Sequence, residues 1–120
     1  MAAIDTTQLQ QLPFQPSIPF QKFSTTIDGT NYVIRLRWNT RDGAWYFDLM
    51  DETEDQIASG IKIVLGVELG RKSTDPRMPR GVFWATDLLN SGKDATLDDL
   101  GTRVVVYYYP FAQWFADAAG

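Results

Sequence analysis

Residues 28–38 read Asp-Gly-Thr-Asn-Tyr-Val-Ile-Arg-Leu-Arg-Trp, and this stretch decides the fold class. Asp28-Gly29 predicts a two-residue hairpin turn, because both central positions of a type I′ turn need positive φ. In the run that follows, large apolar side chains occupy every second position: Tyr32, Ile34, Leu36 and Trp38. Strict alternation is typical of a half-buried strand with one apolar face and one wetter face. The stretch therefore predicts an antiparallel β protein.

Further strands are predicted on both sides of this hairpin, each bounded by turn residues. The predicted ranges are 20–27, 30–38, 44–50, 57–69, 81–85 and 103–109. The fourth range is interrupted by Gly60 and Gly66, which predicts two short strands or one bent strand. Residues 96–100 allow one helical turn that Thr96 would cap. The prediction is a mainly β fold, a small antiparallel β-barrel or sandwich of six to seven strands.

The length of 120 residues predicts one domain, residues 20–110, with an extension at each end. The first extension, residues 1–19, holds four glutamines and three prolines, and proline at every third position favours an extended path. It is either a loose terminus or an arm laid over a neighbouring subunit. We expect the domain to fold without residues 1–18. The anchors of such an arm would be Phe14, Ile18 and Phe20.

The second extension, residues 111–120, carries three large aromatic side chains on a short segment: Phe111, Trp114 and Phe115. These side chains either pack back on their own domain or are buried in another subunit, since aromatic residues are enriched in interface cores. The sequence leaves both alternatives open.

Enzyme chemistry is disfavoured by what the sequence lacks. Histidine and cysteine are absent, which removes the commonest general base, the thiolate nucleophile and the commonest ligands of transition metals. The acidic run of residues 51–55 lacks the glycine that a calcium loop needs at its sixth position, where Gln56 stands. No spacing supports a catalytic carboxylate pair among Asp48, Asp51 and Glu68. We expect no enzyme activity, no cofactor and no metal.

Residues 65–74, Leu-Gly-Val-Glu-Leu-Gly-Arg-Lys-Ser-Thr, resemble a phosphate-binding loop but fail its spacing. That motif needs four residues between its glycines and lysine directly after the second glycine. Here three residues separate the glycines, and Arg71 precedes Lys72. We therefore interpret the segment as a strand end, with Val67 and Leu69 facing the core, followed by a basic loop. That loop, residues 71–80, would contact an acidic neighbouring subunit.

The net charge of −4 disfavours a general nucleic-acid binder, whose affinity depends on phosphate neutralisation. The alternative hypothesis is still a small barrel that binds single strands through Arg35, Arg37 and nearby aromatic side chains. Against it, those aromatic residues are equally expected in the core. No apolar run reaches the roughly 20 residues of a membrane span, and the N-terminus lacks the features of a secretion signal. We expect no membrane partner.

Short motifs across residues 20–110 carry a resemblance to a known family. They include Thr26-Ile-Asp-Gly29, Arg41-Asp-Gly-Ala-Trp45, Gly60-Ile-Lys-Ile-Val-Leu-Gly66 and Met78-Pro-Arg-Gly81. The chain resembles the plug-like baseplate proteins of contractile-tailed phages, first recognised in a cyanophage baseplate.

The resemblance implies a structural component of the virion, a hub-associated plug or tube-end connector that is assembled in the host cytoplasm. It implies several copies in a symmetric ring, in contact with hub, tube-end or wedge proteins. It implies no catalytic residues and no small-molecule substrate. Combined with the extensions and the basic loop, it leads us to predict these interface residues: Phe14, Ile18, Arg71, Lys72, Arg77, Phe111, Trp114 and Phe115.

Overall fold

Seven strands carry the fold in a computed structural model that describes residues 9–71 and 73–110. They are β1 (Gln10–Gln11), β2 (Phe20–Ile27), β3 (Thr30–Asn39), β4 (Ala44–Asp51), β5 (Gln56–Lys62), β6 (Val82–Asp87) and β7 (Val104–Tyr109). One sheet has the order β2-β3-β4-β5 and the other the order β1-β7-β6, and all neighbouring strands are antiparallel. The mainly β fold with six to seven strands is confirmed, in its sandwich form. The described part of the chain contains no closed barrel and no helix.

The predicted hairpin forms as the sequence indicates. Asp28 and Gly29 have φ of 53° and 76°, so both central turn residues take the positive values that a type I′ turn needs. The register pairs Ile27 with Thr30 and places Ile34 opposite Leu49 of the next strand. Alternate residues of β3 and β4 consequently share one inner face, which contributes these residues to the core: Tyr32, Ile34, Leu36, Trp45, Phe47 and Leu49.

The fourth predicted range is one strand followed by a crossing segment. β5 has a bulge near Gly60, and the chain then leaves the four-stranded sheet. It reaches the edge of β6, where single bridges join Leu65 to Ala85 and Leu69 to Phe83. Leu69 is buried as predicted, but the core-facing position predicted for Val67 is wrong, because Val67 is 45% exposed. The chain turns after Leu65, so residues 67 and 69 do not follow the alternation of a strand.

The N-terminal segment is packed on its own chain from residue 10 onwards. β1 pairs with β7, and the N–H of Leu12 donates to the carbonyl of Val106 at 2.9 Å. Leu12 and Phe14 are 1% and 5% exposed and belong to the core. The segment lies here because β7 offers it a sheet edge and because the side chains of Leu12 and Phe14 both point into the core. Residues 10–14 are therefore part of the packed β structure. This packing argues against folding of the domain without residues 1–18, which stays a prediction.

Close contact with a neighbouring loop secures this segment. A Cβ atom at Gly101, where φ is +95°, would lie 2.3 Å from the carbonyl oxygen of Phe14. Real Cβ atoms do not approach an oxygen so closely, so only glycine fits. Before Gly101, residues 97–99 form a turn in place of the predicted helical turn, and Leu100 forms a bridge with Val104.

Aromatic side chains join the two sheets. The ring of Phe47 from β4 meets the ring of Phe83 from β6 edge-on, with centroids 5.7 Å apart. Tyr108 of β7 donates its hydroxyl proton to the carboxylate of Asp28 in the hairpin turn, and its oxygen accepts the N–H of Gly81 at 2.8 Å. Burial, reinforced by the hydrogen bond to Asp28, raises the pKa of Tyr108. The two sheets thus share one core, and the hydrogen bond from Tyr108 to Asp28 links them at the hairpin turn.

Candidate interaction surfaces

Arg77 ties the loop of residues 71–80 to the acidic turn after β4. Its Nη1 atom lies 2.9 Å from Oδ2 of Asp51 and 2.8 Å from Oδ2 of Asp55, and its Nη2 atom lies 2.8 Å from Oδ2 of Asp75. Three carboxylates surround one guanidinium, so the net charge of the group is negative. The hydrogen bonds from Arg77 lower the pKa of Asp75 to about 2 and hold the pKa of Arg77 above its ordinary value.

This arrangement changes how the loop is interpreted. Arg77 was predicted to face an acidic neighbour, but its charge is already balanced by carboxylates of its own chain. Arg71 is well exposed and lies 3.3 Å from the Glu68 carboxylate. Lys72 lies outside the described residues. Of the two described residues, Arg71 has the more exposed side chain, 78% against 38% for Arg77, and it pairs with one carboxylate where Arg77 pairs with three.

A buried carboxylate organises the outer face of the four-stranded sheet. Asp48 of β4 is 1% exposed and lies directly opposite Arg35 of β3. Its Oδ2 atom is 2.9 Å from Nη2 of Arg35 and 2.7 Å from Nη1 of Arg37, and its Oδ1 atom accepts the N–H of Gly60 at 2.8 Å. Burial alone would raise the pKa of Asp48. The Gly60 N–H and the two guanidinium groups outweigh burial, so the pKa is lowered.

The same cluster weakens the hypothesis of nucleic-acid binding. Arg35 and Arg37 share one carboxylate, so the pair presents one net positive charge where two were expected. Tyr32 and Trp45 are buried, and the Trp45 indole N–H donates to the carbonyl of Thr96 at 2.9 Å. Side chains used in this way cannot form the stacking platform that binding to single strands requires. Trp38 and Tyr46 are half-buried, but Trp38 packs against the core and the Tyr46 hydroxyl donates to the carboxylate of Asp42.

The structure separates the predicted anchors of the N-terminal segment. Phe14 is buried in its own core, with its ring edge-on to that of Phe23 at 5.6 Å. Ile18 is exposed, as is Phe20, which lies opposite Arg37 in the register of β2 and β3. Phe111, Trp114 and Phe115 lie outside the described residues. Ile18 and Phe20 consequently form an apolar surface at one end of β2, named here the β2 apolar surface.

A second exposed apolar site was not anticipated from the sequence. Leu88 and Leu89 follow β6 and are both exposed. The turn that carries them is held by Asp87, which accepts hydrogen bonds from the Leu89 N–H at 3.0 Å and the Ser91 hydroxyl at 2.7 Å. Asp87 also lies 3.1 Å from Nη1 of Arg103. The only indication in the sequence was a pair of leucines between polar turn residues, which by itself suggests core packing.

The described part of the chain shows neither a metal site nor a membrane-spanning helix. Among residues 9–71 and 73–110, no group of three or more histidine, cysteine, aspartate or glutamate side chains could hold a metal ion. Within these ranges, no helix has the length and apolar character needed to cross a bilayer.

The family of this chain follows from its similarity to known proteins. A protein family described as "Cyanophage baseplate Pam3 plug gp18" matches residues 9–111. The chain belongs to this baseplate plug family. The match begins at residue 9, so it includes β1 and residues 12–19, which the resemblance noted from short motifs did not cover. No curated protein matches the chain in sequence.

Membership of the baseplate plug family gives the chain a structural role. It is a component of a phage tail baseplate and contacts other baseplate components. The virion tail baseplate is accordingly its location. The resemblance noted from the sequence motifs is thereby confirmed.

Proposed function

We propose that this protein is a non-catalytic subunit of a contractile-tail baseplate, a hub-associated plug or tube-end connector that acts by burying surface in a symmetric ring of its own copies. The observation that carries this proposal is the match to the baseplate plug family, which extends over all seven strands. The absence of histidine and cysteine supports a role without catalysis, since it removes the commonest general base and the thiolate nucleophile. Closed rings are the common outcome when small subunits of one kind assemble.

The contacts would use the exposed groups that the fold holds in fixed positions. The β2 apolar surface, formed by Ile18 and Phe20, offers the apolar centre that a stable interface needs. It lies beside Arg37, and arginine is enriched at such interfaces. Arg71 would add a charged contact at the rim, with Lys72 next to it in sequence. Hub, tube-end and wedge proteins are the proposed partners, and assembly would take place in the host cytoplasm.

Arg77 would support the interface indirectly in this proposal. Its guanidinium holds the loop of residues 71–80 against the turn after β4, so it would shape the contact surface and leave the direct contacts to its neighbours. Replacing Arg77 would then weaken assembly through movement of the loop.

The test is assembly of baseplates in infected cells whose phage lacks the native gene and receives a variant from a plasmid. Phe20→Asp should reduce incorporation of the protein into particles at least about tenfold, because a charge would have to be desolvated at an apolar contact. The matched control is Ser24→Asp, which places the same charge at an exposed position of the same strand. Both variants should unfold at the same urea concentration as the native chain.

Normal incorporation of the Phe20→Asp protein would show that this surface is not an interface. A particle with a single copy of the protein, counted by quantitative mass spectrometry against the tube subunit, would contradict the symmetric ring. Plaque formation without any of this protein would contradict a structural role in the baseplate.

A further inference from the structure

Exposed apolar side chains are concentrated at one end of the sandwich. Five large apolar side chains are exposed among the described residues, and four of them form two pairs. One pair is the β2 apolar surface, Ile18 and Phe20. The other is formed by Leu88 and Leu89 and is named here the Leu88–Leu89 turn. Single exposed apolar side chains are normal, whereas grouped ones mark sites of interaction.

Both pairs lie at the same end, named here the apolar end. β2 begins at this end, since Phe20 lies opposite Arg37 near the end of β3. The connection between β6 and β7 reaches the same end, because the carbonyl of Thr96 accepts the indole N–H of Trp45 near the start of β4. The hairpin turn at Asp28 lies at the opposite end, named here the hairpin end.

The two pairs stand on opposite sides of β7. The N–H of Ser17, the neighbour of Ile18, donates to the carbonyl of Leu97 at 2.9 Å, on the side of β7 along which the N-terminal segment runs. The N–H of Leu88 donates to the carbonyl of Arg103 at 2.8 Å, on the side of β7 that pairs with β6. Each subunit thus has two separate apolar contacts at one end.

Hydrogen bonds hold both pairs in fixed positions. The Gln21 side chain accepts the N–H of Gln15 at 2.9 Å through Oε1 and donates to the carbonyl of Ile18 at 2.9 Å through Nε2. Asp87 holds the Leu88–Leu89 turn by accepting two backbone N–H groups and one hydroxyl. A contact surface that is already ordered loses less conformational entropy on binding. The pairs are therefore prepared for contact with another protein.

Strand edges are poorly suited to join copies of this chain. The carbonyl of Ile57 in β5 accepts the Ser73 hydroxyl at 3.2 Å, and the edge of β6 is bridged by residues 65–69. The carbonyl of Thr26 in β2 accepts the side-chain amide of Gln10 at 2.8 Å. An added strand would have to displace these groups, since it needs unpaired backbone at an edge. Copies are consequently expected to meet through side chains.

The hairpin end is acidic. It holds six carboxylates and three basic groups, which gives a net charge of −3. The carboxylates are those of Asp28, Asp51, Glu52, Glu54, Asp55 and Asp75, and the basic groups are those of Lys22, Arg77 and Arg80. Two such ends would repel each other if they met. Association of copies is therefore favoured when the apolar ends come together and the hairpin ends point away.

We propose that the apolar ends of neighbouring copies meet around the ring axis, where the β2 apolar surface of one copy packs against the Leu88–Leu89 turn of the next. A closed ring of identical subunits needs two different surfaces on each subunit, and the pairs on either side of β7 supply them. A second copy is the occupant that accounts for both pairs at once. This inference rests on the proposed ring and names its contact.

Cross-linking inside assembled particles tests this contact. Because the native chain has no cysteine, Phe20→Cys and Leu89→Cys can be combined in one chain without interference. Particles that contain this double variant are treated with a bis-maleimide of about 10 Å reach, a span comparable to the spacing of packed sheets. The matched control combines Phe20→Cys with Glu52→Cys, an exposed position at the hairpin end. Products larger than a dimer should form at least about tenfold more than in the control.

Two results would overturn the proposed contact. A series of products that stops at the dimer would indicate a two-fold contact in place of a ring. Equal cross-linking in the control would show that the reaction does not report a specific neighbour. Particles that contain the protein and yield only monomers would refute the contact and leave the baseplate role standing, whereas particles that lack the native protein would refute the baseplate role.

A charged variant tests the Leu88–Leu89 turn independently. Leu89→Asp should reduce incorporation into particles at least about tenfold, because the charge would have to be desolvated at an apolar contact. Asn90→Asp places the same charge at the next exposed position and should leave incorporation near the native level. Both variants should unfold at the same urea concentration as the native chain. Normal incorporation of the Leu89→Asp protein would contradict the proposal.

Discussion

Replacing Phe14 by alanine should reveal whether the N-terminal segment holds the sandwich together. The Phe14 side chain is 5% exposed, and its ring lies 5.6 Å from that of Phe23 and 6.1 Å from that of Phe47. Removing a buried phenylalanine costs about 3–5 kcal/mol through lost burial and the cavity left behind. Domains of this size are stable by about 5–15 kcal/mol, so Phe14→Ala should remove a large part of the free energy of unfolding.

The measurement is urea unfolding followed by far-ultraviolet circular dichroism, with the slope m compared between variants. Phe20→Ala is the matched control, because Phe20 stands six residues later and is 59% exposed. Its loss should change the free energy of unfolding by no more than about 0.5 kcal/mol. If Phe14→Ala also costs less than about 1 kcal/mol at unchanged m, the segment is not part of the core, and the packing argument fails.

Three further predictions concern charges and close contacts. Asp48→Asn should lower the free energy of unfolding by about 1–3 kcal/mol at pH 7, since it leaves two partly exposed guanidinium groups without their shared carboxylate. Folding lowers the pKa of Asp48, so the loss of unfolding free energy in Asp48→Asn should be complete above about pH 3.9. This loss should shrink as the pH falls through the pKa that Asp48 has in the folded chain. A loss that does not change with pH would contradict the argument. The carboxyl carbon of Asp75 should titrate in NMR with a pKa of about 2, and Arg77→Gln should return that pKa toward its ordinary range. Gly101→Ala should destabilise the fold by about 3 kcal/mol because its Cβ would meet a carbonyl oxygen, whereas Gly43→Ala, with open space around it, should cost about 1 kcal/mol in urea unfolding.

Local sequence patterns were sufficient to predict the strands in which apolar and polar side chains alternate. The bounds of β2 were predicted to the residue, and β3 and β4 each extend one residue beyond the prediction, because apolar periodicity and turn residues are properties of neighbouring positions. The type I′ turn at Asp28-Gly29 followed from the same kind of local chemistry. The fold class could be predicted from the sequence for this reason, although the sequence did not decide between a barrel and a sandwich. That choice depends on which strands meet, and strand order is set by long-range contacts.

The features that were missed all depend on distant partners. β1 has two polar residues and no apolar alternation, and its place is decided by an open edge on β7, far along the chain. Arg77 was predicted to face outward because two of its three carboxylate partners, Asp51 and Asp55, belong to a turn that is distant in sequence. Asp48 left a recognisable indication, a lone charge inside an apolar strand opposite two alternating arginines. The predicted interface residues remain predictions, with Phe14 now placed in the core.

The pairing of β1 with β7 has a consequence for biosynthesis. The first described strand gains its partner only after the last one, residues 104–109, has left the ribosome. Until then, Leu12 and Phe14 lack the edge of β7 beside which they pack in the finished fold. Contacts between residues so far apart in sequence are also slow to form, which places folding in the range of milliseconds to seconds. Synthesis of β7 is therefore the step after which each subunit can reach its native shape.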